Sequence, residues 1–211
     1  MLPDLWRMAD RRVRPSLQPL AATGSPRVDE VNAGIDHHHR VDAAFHESAL
    51  FRDGEAAIMR ALREIPGPRL SLFGHIAFEL CLDGALVRRD GEALLEDVRA
   101  AIAVAADASA GESPVEAAAR LHYATRKSEP LPDRFQARVA WLLGEVARGP
   151  WVEGYARGAQ VADRIDGIRK SLGFPTVEGA DREQLVRVLD DAIARAEDEI
   201  GAAFALDVRA A

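Results

Sequence analysis

The chain has 211 residues, enough for one domain with a full-sized core or for two small domains, and its 48% hydrophobic and 29% charged residues exclude disorder. Alanine is abundant while β-branched residues and aromatics (6%) are scarce, which favours helices over strands. The net charge of −7 argues against general nucleic-acid binding.

Residues 1–14 read as a short helix that stops at Pro15, and 15–27 read as loop, with Pro19, Gly24, Ser25 and Pro26. From Val28 to Phe45 the spacing predicts a helix with Val31, Ile35, His38 and Asp42 on one face. A third helix is expected over Asp53 to Ile65, closed by Pro66-Gly67-Pro68. The next, Arg69 to Val87, is apolar around its whole circumference, the mark of a buried helix. A further helix follows from Asp90 to Ala108. Ser113-Pro114-Val115-Glu116 then joins a capping box to a proline at the first helical position, predicting a helix that reaches Thr125. Pro130 and Pro132 mark a turn before a helix to Ala147, broken by Gly149-Pro150. Trp151 to Leu172 and Asp181 to Asp207 complete the series, the last with Leu185, Val188, Leu189, Ala192, Ile193, Ala196 and Ile200 at helical spacing. No internal repeat or long linker interrupts this pattern. The expected architecture is all-α: one helical bundle of about seven to nine helices spanning residues 1–211.

Cys81 is the single cysteine, which excludes an intramolecular disulfide, and its apolar surroundings predict a buried core thiol. No stretch reads as a signal peptide or membrane span, because charges break each apolar run. The expected compartment is therefore a reducing cytoplasm. Arg7, Arg11, Arg12 and Arg14 form a basic N-terminal cluster, either a solvated face or a dock for an acidic partner.

The chemistry-bearing segment is His75 to Asp83. His75, Glu79 and Asp83 fall at i, i+4 and i+8, one stripe on one helix face, with almost wholly apolar neighbours. A carboxylate buried there needs a partner, and a divalent ion bound by imidazole and carboxylate supplies one. Exposure to solvent or pairing with arginine satisfies the same stripe without an ion. His38 and Asp42 repeat the i, i+4 pattern in a second helix, and opposed helices carrying such pairs close metal sites in bundle cores. Asp4 is a third source of a carboxylate, while His46 and His122 look peripheral and receive no role. A phosphate-binding Walker loop, a dinucleotide fingerprint, a Cys-x-x-Cys pair and a Gly-x-Ser-x-Gly elbow are all absent. Metal-assisted hydrolysis is the reaction class best served by the residues present.

Several segments, in order, resemble the acyl carrier protein phosphodiesterases. Met1-Leu2-Pro3-Asp4-Leu5 is similar to the family's Gly-Asn-Leu-Leu-x-Asp-Phe, and Gly34-Ile35-Asp36-His37-His38-His39-Arg40-Val41-Asp42 to its Gly-Ile-x-x-His-Arg-x-Ile-Asp. His75-Ile76-Ala77-Phe78-Glu79-Leu80-Cys81-Leu82 falls where the family has Asp-x-x-x-Asp-His-Phe-Leu. Trp151-Val152-Glu153-Gly154-Tyr155 and Ile165-Asp166-Gly167-Ile168 resemble its late landmarks. The resemblance implies an all-helical fold related to the His-Asp type of metal-dependent phosphohydrolase. It implies release of 4′-phosphopantetheine from holo acyl carrier protein, the acidic partner that the arginine cluster would dock. It also implies a divalent cofactor, manganese foremost, with iron or zinc also compatible. Carried over by position, it implies Asp4, His38 and Asp42 as site residues. Together with the two helical pairs, this gives Asp4, His38, Asp42, His75 and Glu79 as metal ligands, with Asp42 and Glu79 as catalytic carboxylates.

The departures are specific. His75 stands for a family aspartate, Glu79 for a shorter acid, and Leu80 for a histidine. The chain also begins inside a region where the family carries a further Asn-x-Leu-Ala-His stretch. The expectation is thus a divergent or N-terminally shortened member. The alternatives are a helical binding protein of the same fold that has lost catalysis, or a metal-dependent hydrolase of another phosphoester.

Overall fold

A computed structural model describes the backbone of residues 2–66, 69–106, 113–125, 127, 129–148 and 151–210. Side chains within these are described except at 2–4, 92, 105–106, 147–148, 151–152 and 202–210. Every regular element among the described residues is helical. In chain order they are α1 (Leu2–Ala9), α2 (Pro26–Glu47), α3 (Ala49–Arg63), a 3-10 turn (Leu70–Phe73), α4 (Gly74–Ala106), α5 (Pro114–Ala124), α6 (Phe135–Arg148), α7 (Trp151–Gly154), α8 (Gly158–Ser171) and α9 (Gly179–Ala210). The all-α expectation is met.

The chain packs as two compact units, one of Met1–Phe45 with Glu96–Gly149, the other of His46–Leu95 with Pro150–Ala211. In the first unit α1 packs on α6, and the core includes Leu5, Trp6, Ile35, Ile102, Val115, Tyr123, Phe135 and Leu142. The Ser113 signal is realised there: its Oγ accepts the Glu116 amide at 3.2 Å, and Pro114 opens α5.

In the second unit α9 packs on both α8 and α3. Its core holds Phe51, Ile58, Leu62, Phe73, Phe78, Cys81, Ile165, Leu185, Leu189 and Ile193. Burying a side chain of this size contributes roughly 1.5–3 kcal/mol. The segment Leu70–Gly91 is long and apolar enough to cross a membrane by length and composition, and 61% of its most apolar window is buried within the fold.

Several expected boundaries shift, and the helix expected from Arg69 begins at Gly74, after the Leu70–Phe73 3-10 turn. The N-terminal helix ends at Ala9 rather than at residue 14, where the Asp10 carboxylate takes the Arg12 amide and guanidinium and stops the turn. The third helix starts at Ala49 rather than Asp53, because Ser48 caps it: its Oγ accepts the Phe51 amide at 3.1 Å. The expected Trp151–Leu172 helix is divided into α7 and α8, with Arg157 in an extended conformation between them. At the break the Gly158 amide donates to the Asp190 carboxylate of α9 at 2.7 Å, and a methyl group on Gly158 would overlap α9 there. A partner distant in sequence thus caps the start of α8.

A break between the expected Arg69–Val87 and Asp90–Ala108 helices is present as a disruption within α4 at Gly91 (φ 57°, ψ −134°), a conformation that glycine alone adopts at little cost. The expected end at Ala108 and the Gly67-Pro68 and Gly149-Pro150 breakers lie outside the described residues.

Candidate metal centre

In the second unit the polar stripe of α4 meets the end of α2 and the start of α3. His75 and Glu79 stand one turn apart on the first turns of α4, and Glu79 Oε1 lies 3.2 Å from His75 Nε2. The same oxygen lies 3.2 Å from Nε2 of His46, in the last turn of α2. Glu55 of α3 places its Oε1 3.0 Å from His75 Nδ1. Among the described residues, His46, His75 and Glu79 form a group whose ligand atoms all lie within 4.8 Å of one another.

The local sequence explains how these side chains converge. Ser48 ends α2 and caps α3, turning the chain so that the His46 ring rests on Phe51 at 4.3 Å between centroids. Phe51 is itself buried and also touches the His75 ring at 5.2 Å and Phe78 at 5.5 Å. The two imidazoles meet edge to face at 5.0 Å over this aromatic floor. Gly54 lets the floor close, since a methyl group there would overlap the Phe78 ring. The opposite side is open: side-chain exposure is 31% for His46, 38% for Glu79 and 50% for His75.

The arrangement has a definite hydrogen-bond demand. A neutral imidazole has one N–H and one lone pair. If His75 gives Nδ1–H to Glu55, its Nε2 lone pair faces the Glu79 carboxylate, acceptor against acceptor. A cation between them satisfies both, and two imidazole nitrogens with one carboxylate oxygen are a common donor set for first-row divalent ions.

The structure brings only part of the sequence-derived set to this centre. His75 and Glu79 are in it. Of the two environments open to this stripe, the exposed one is realised: Ala77, Phe78, Cys81 and Leu82 face the core, while the polar stripe is the partly open face of α4. Asp83, one turn further on, is exposed and outside the cluster. His38 and Asp42 belong to the first unit, where His38 is half-buried with its ring 5.9 Å from that of His39, and Asp42 is exposed. The Asp4 side chain lies outside the described residues.

His46 and Glu55 were not foreseen. His46 had a readable signal, because His38, Asp42 and His46 continue the i, i+4, i+8 spacing seen in His75, Glu79 and Asp83. Glu55 had none, since its meeting with His75 is tertiary.

The other singled-out groups are placed plainly. His122 is not peripheral but fully buried in the first unit. Its Nδ1 accepts the Ser16 amide at 3.0 Å, its Nε2 faces Asn32 Oδ1 at 3.2 Å, and its ring lies 5.6 Å from Trp6. Burial holds its pKa below the usual histidine value. Cys81 is the expected core thiol, pushed up to about 12 by burial, with its sulfur 3.7 Å from the Leu189 carbonyl. Arg7, Arg11, Arg12 and Arg14 are exposed, and Arg12 is engaged by Asp10 at 2.8 Å.

No protein-family model matches the chain, and no curated protein and no solved structure matches it.

Proposed function

We propose that the His46–His75–Glu79 cluster binds a divalent metal ion and that the protein is a metal-dependent phosphodiester hydrolase, resembling the acyl carrier protein phosphodiesterases. The observation that carries the reading is the convergence of two Nε2 atoms on one carboxylate oxygen, at 3.2 Å each. Two histidines and one glutamate are the ligand set of catalytic rather than closed structural zinc sites. A bound ion would lower the pKa of a coordinated water and neutralise charge on the phosphoryl oxygens. The remaining work falls to the chain. His46 and His75 present imidazole nitrogens, the Glu79 carboxylate would take the proton of the attacking water, and Phe51 holds both rings.

The resemblance supplies the substrate, holo acyl carrier protein, and the preference for manganese, with iron and zinc also fitting the donors. It also carries the kinship with the His-Asp phosphohydrolases and the cytoplasmic location that such a substrate entails. The exposed Arg7, Arg11 and Arg14 would attract an acidic carrier protein. The proposed ligand set lies in the second unit, and the described His38 and Asp42 are not among the grouped ligands.

Incubation with holo acyl carrier protein and Mn²⁺, followed by mass spectrometry, tests the reaction, with a generic aryl phosphodiester run beside it. Loss of the pantetheine group that disappears in a His46→Ala, Glu79→Ala double variant supports it. Turnover of the aryl ester alone moves the assignment to another phosphoester. No turnover of either sinks the hydrolase.

One observation favours a second reading, a helical binding protein that has lost catalysis. The chain Glu55–His75–Glu79–His46 closes as a hydrogen-bond network with a proton in place of the ion, at 3.0, 3.2 and 3.2 Å. Metal analysis separates the two.

A further inference from the structure

Glu55 makes no part of the three-ligand group, yet it contacts the most exposed ligand. Phe51 and His46 pack edge-on with the His75 ring, at 5.2 and 5.0 Å, while half of the side chain remains open to solvent. Such packing fixes the ring plane but leaves a half-turn about the outer side-chain bond, which would bring a carbon to where Nε2 now faces Glu79. The contact from Nδ1 to Glu55 Oε1 at 3.0 Å is made in one of these two orientations only. Glu55 is itself constrained, at 28% side-chain exposure, on a helix anchored by the Ser48 cap and by buried Phe51 and Ile58.

We propose that Glu55 is the positioning residue of the centre: by accepting Nδ1–H it fixes the tautomer and orientation of His75 and leaves Nε2 as the ligand atom. The inference rests on the metal reading above. Its chemistry is that of a carboxylate behind a ligating imidazole, which orients the ring and makes the other nitrogen a better donor. Glu55 touches neither the ion nor a reacting atom in this account.

The test uses the full chain, titrated with Mn²⁺ and with Zn²⁺ by calorimetry, for the parent, Glu55→Ala and Glu55→Gln. Glutamine keeps an acceptor oxygen and separates the contact from the charge. Removal of such a partner costs about 10–100-fold in metal affinity, so Glu55→Ala should weaken binding by that factor and Glu55→Gln should recover part of it. Long-range ¹H–¹⁵N spectra of His75 give a second readout, which a merely structural role would not move. The parent should show the Nδ1–H tautomer before and after metal addition, and Glu55→Ala should show a mixture before it. Unchanged affinity in Glu55→Ala, or an Nε2–H tautomer in the parent, overturns the positioning role alone. A parent that binds neither ion overturns the metal reading and this inference with it.

Discussion

Replacing His122 with phenylalanine keeps an aromatic ring of similar size beside Trp6 but removes both imidazole nitrogens from the first unit. The Ser16 amide then loses its acceptor and buried Asn32 Oδ1 loses its partner. An orphaned buried polar group costs about 1–3 kcal/mol and a lost hydrogen bond about 1 kcal/mol, so the expected destabilisation is about 2–4 kcal/mol. The pH dependence adds a second signature. Burial lowers the pKa of His122, opposed by Asp36 and aided by His39, so the unfolded chain holds the proton more tightly than the folded one. Between the lowered folded value and about 6.5 the unfolded state therefore binds more protons, and stability falls as pH drops through that window. The phenylalanine variant lacks this titration. Urea unfolding above and below pH ~6.5 reads both effects, and hydrogen exchange at the Ser16 amide reads the lost contact locally. A variant as stable as its parent at the higher pH, or one that loses as much stability as the parent on acidification, would refute the reasoning.

In the second unit Arg169 is fully buried against the rings of Phe73 and Phe174, at 5.4 Å from each, and donates to the Pro175 carbonyl at 2.9 Å beside Asp166. Removing one partner of a buried pair costs about 3 kcal/mol or more, so Arg169→Leu should lower the urea midpoint by a matching amount, and an unchanged midpoint would contradict the role given to it. Cys81, with its thiol pushed up to about 12, should react with an aromatic disulfide reagent no faster than the protein unfolds. Immediate labelling in native buffer would show that the thiol is not in the core.

Local signals were legible where the deciding atoms sit close together in the chain. Ser113-Pro114 announces α5 because a cap and its recipient amide are three residues apart. The apolar run of residues 69–87 announces a core helix, but composition does not say which strip stays open. The open strip proves to carry His75 and Glu79. The division of α7 from α8 was not readable, since it depends on Asp190 and on the close approach of α9 at Gly158. His46 looks peripheral in the sequence, although it is the next member of the His38–Asp42 stripe. Glu55 lies on a different helix from His75, and only the fold joins them.

The central claim is that His46, His75 and Glu79 together hold one divalent ion, and metal stoichiometry tests it most directly. The purified protein is equilibrated with Mn²⁺ or Zn²⁺, freed of excess, and assayed by elemental analysis beside the His46→Ala, Glu79→Ala double variant. The account predicts one ion per chain in the parent and none in the double variant. A parent that retains no ion, or a double variant that retains its full complement, would contradict it.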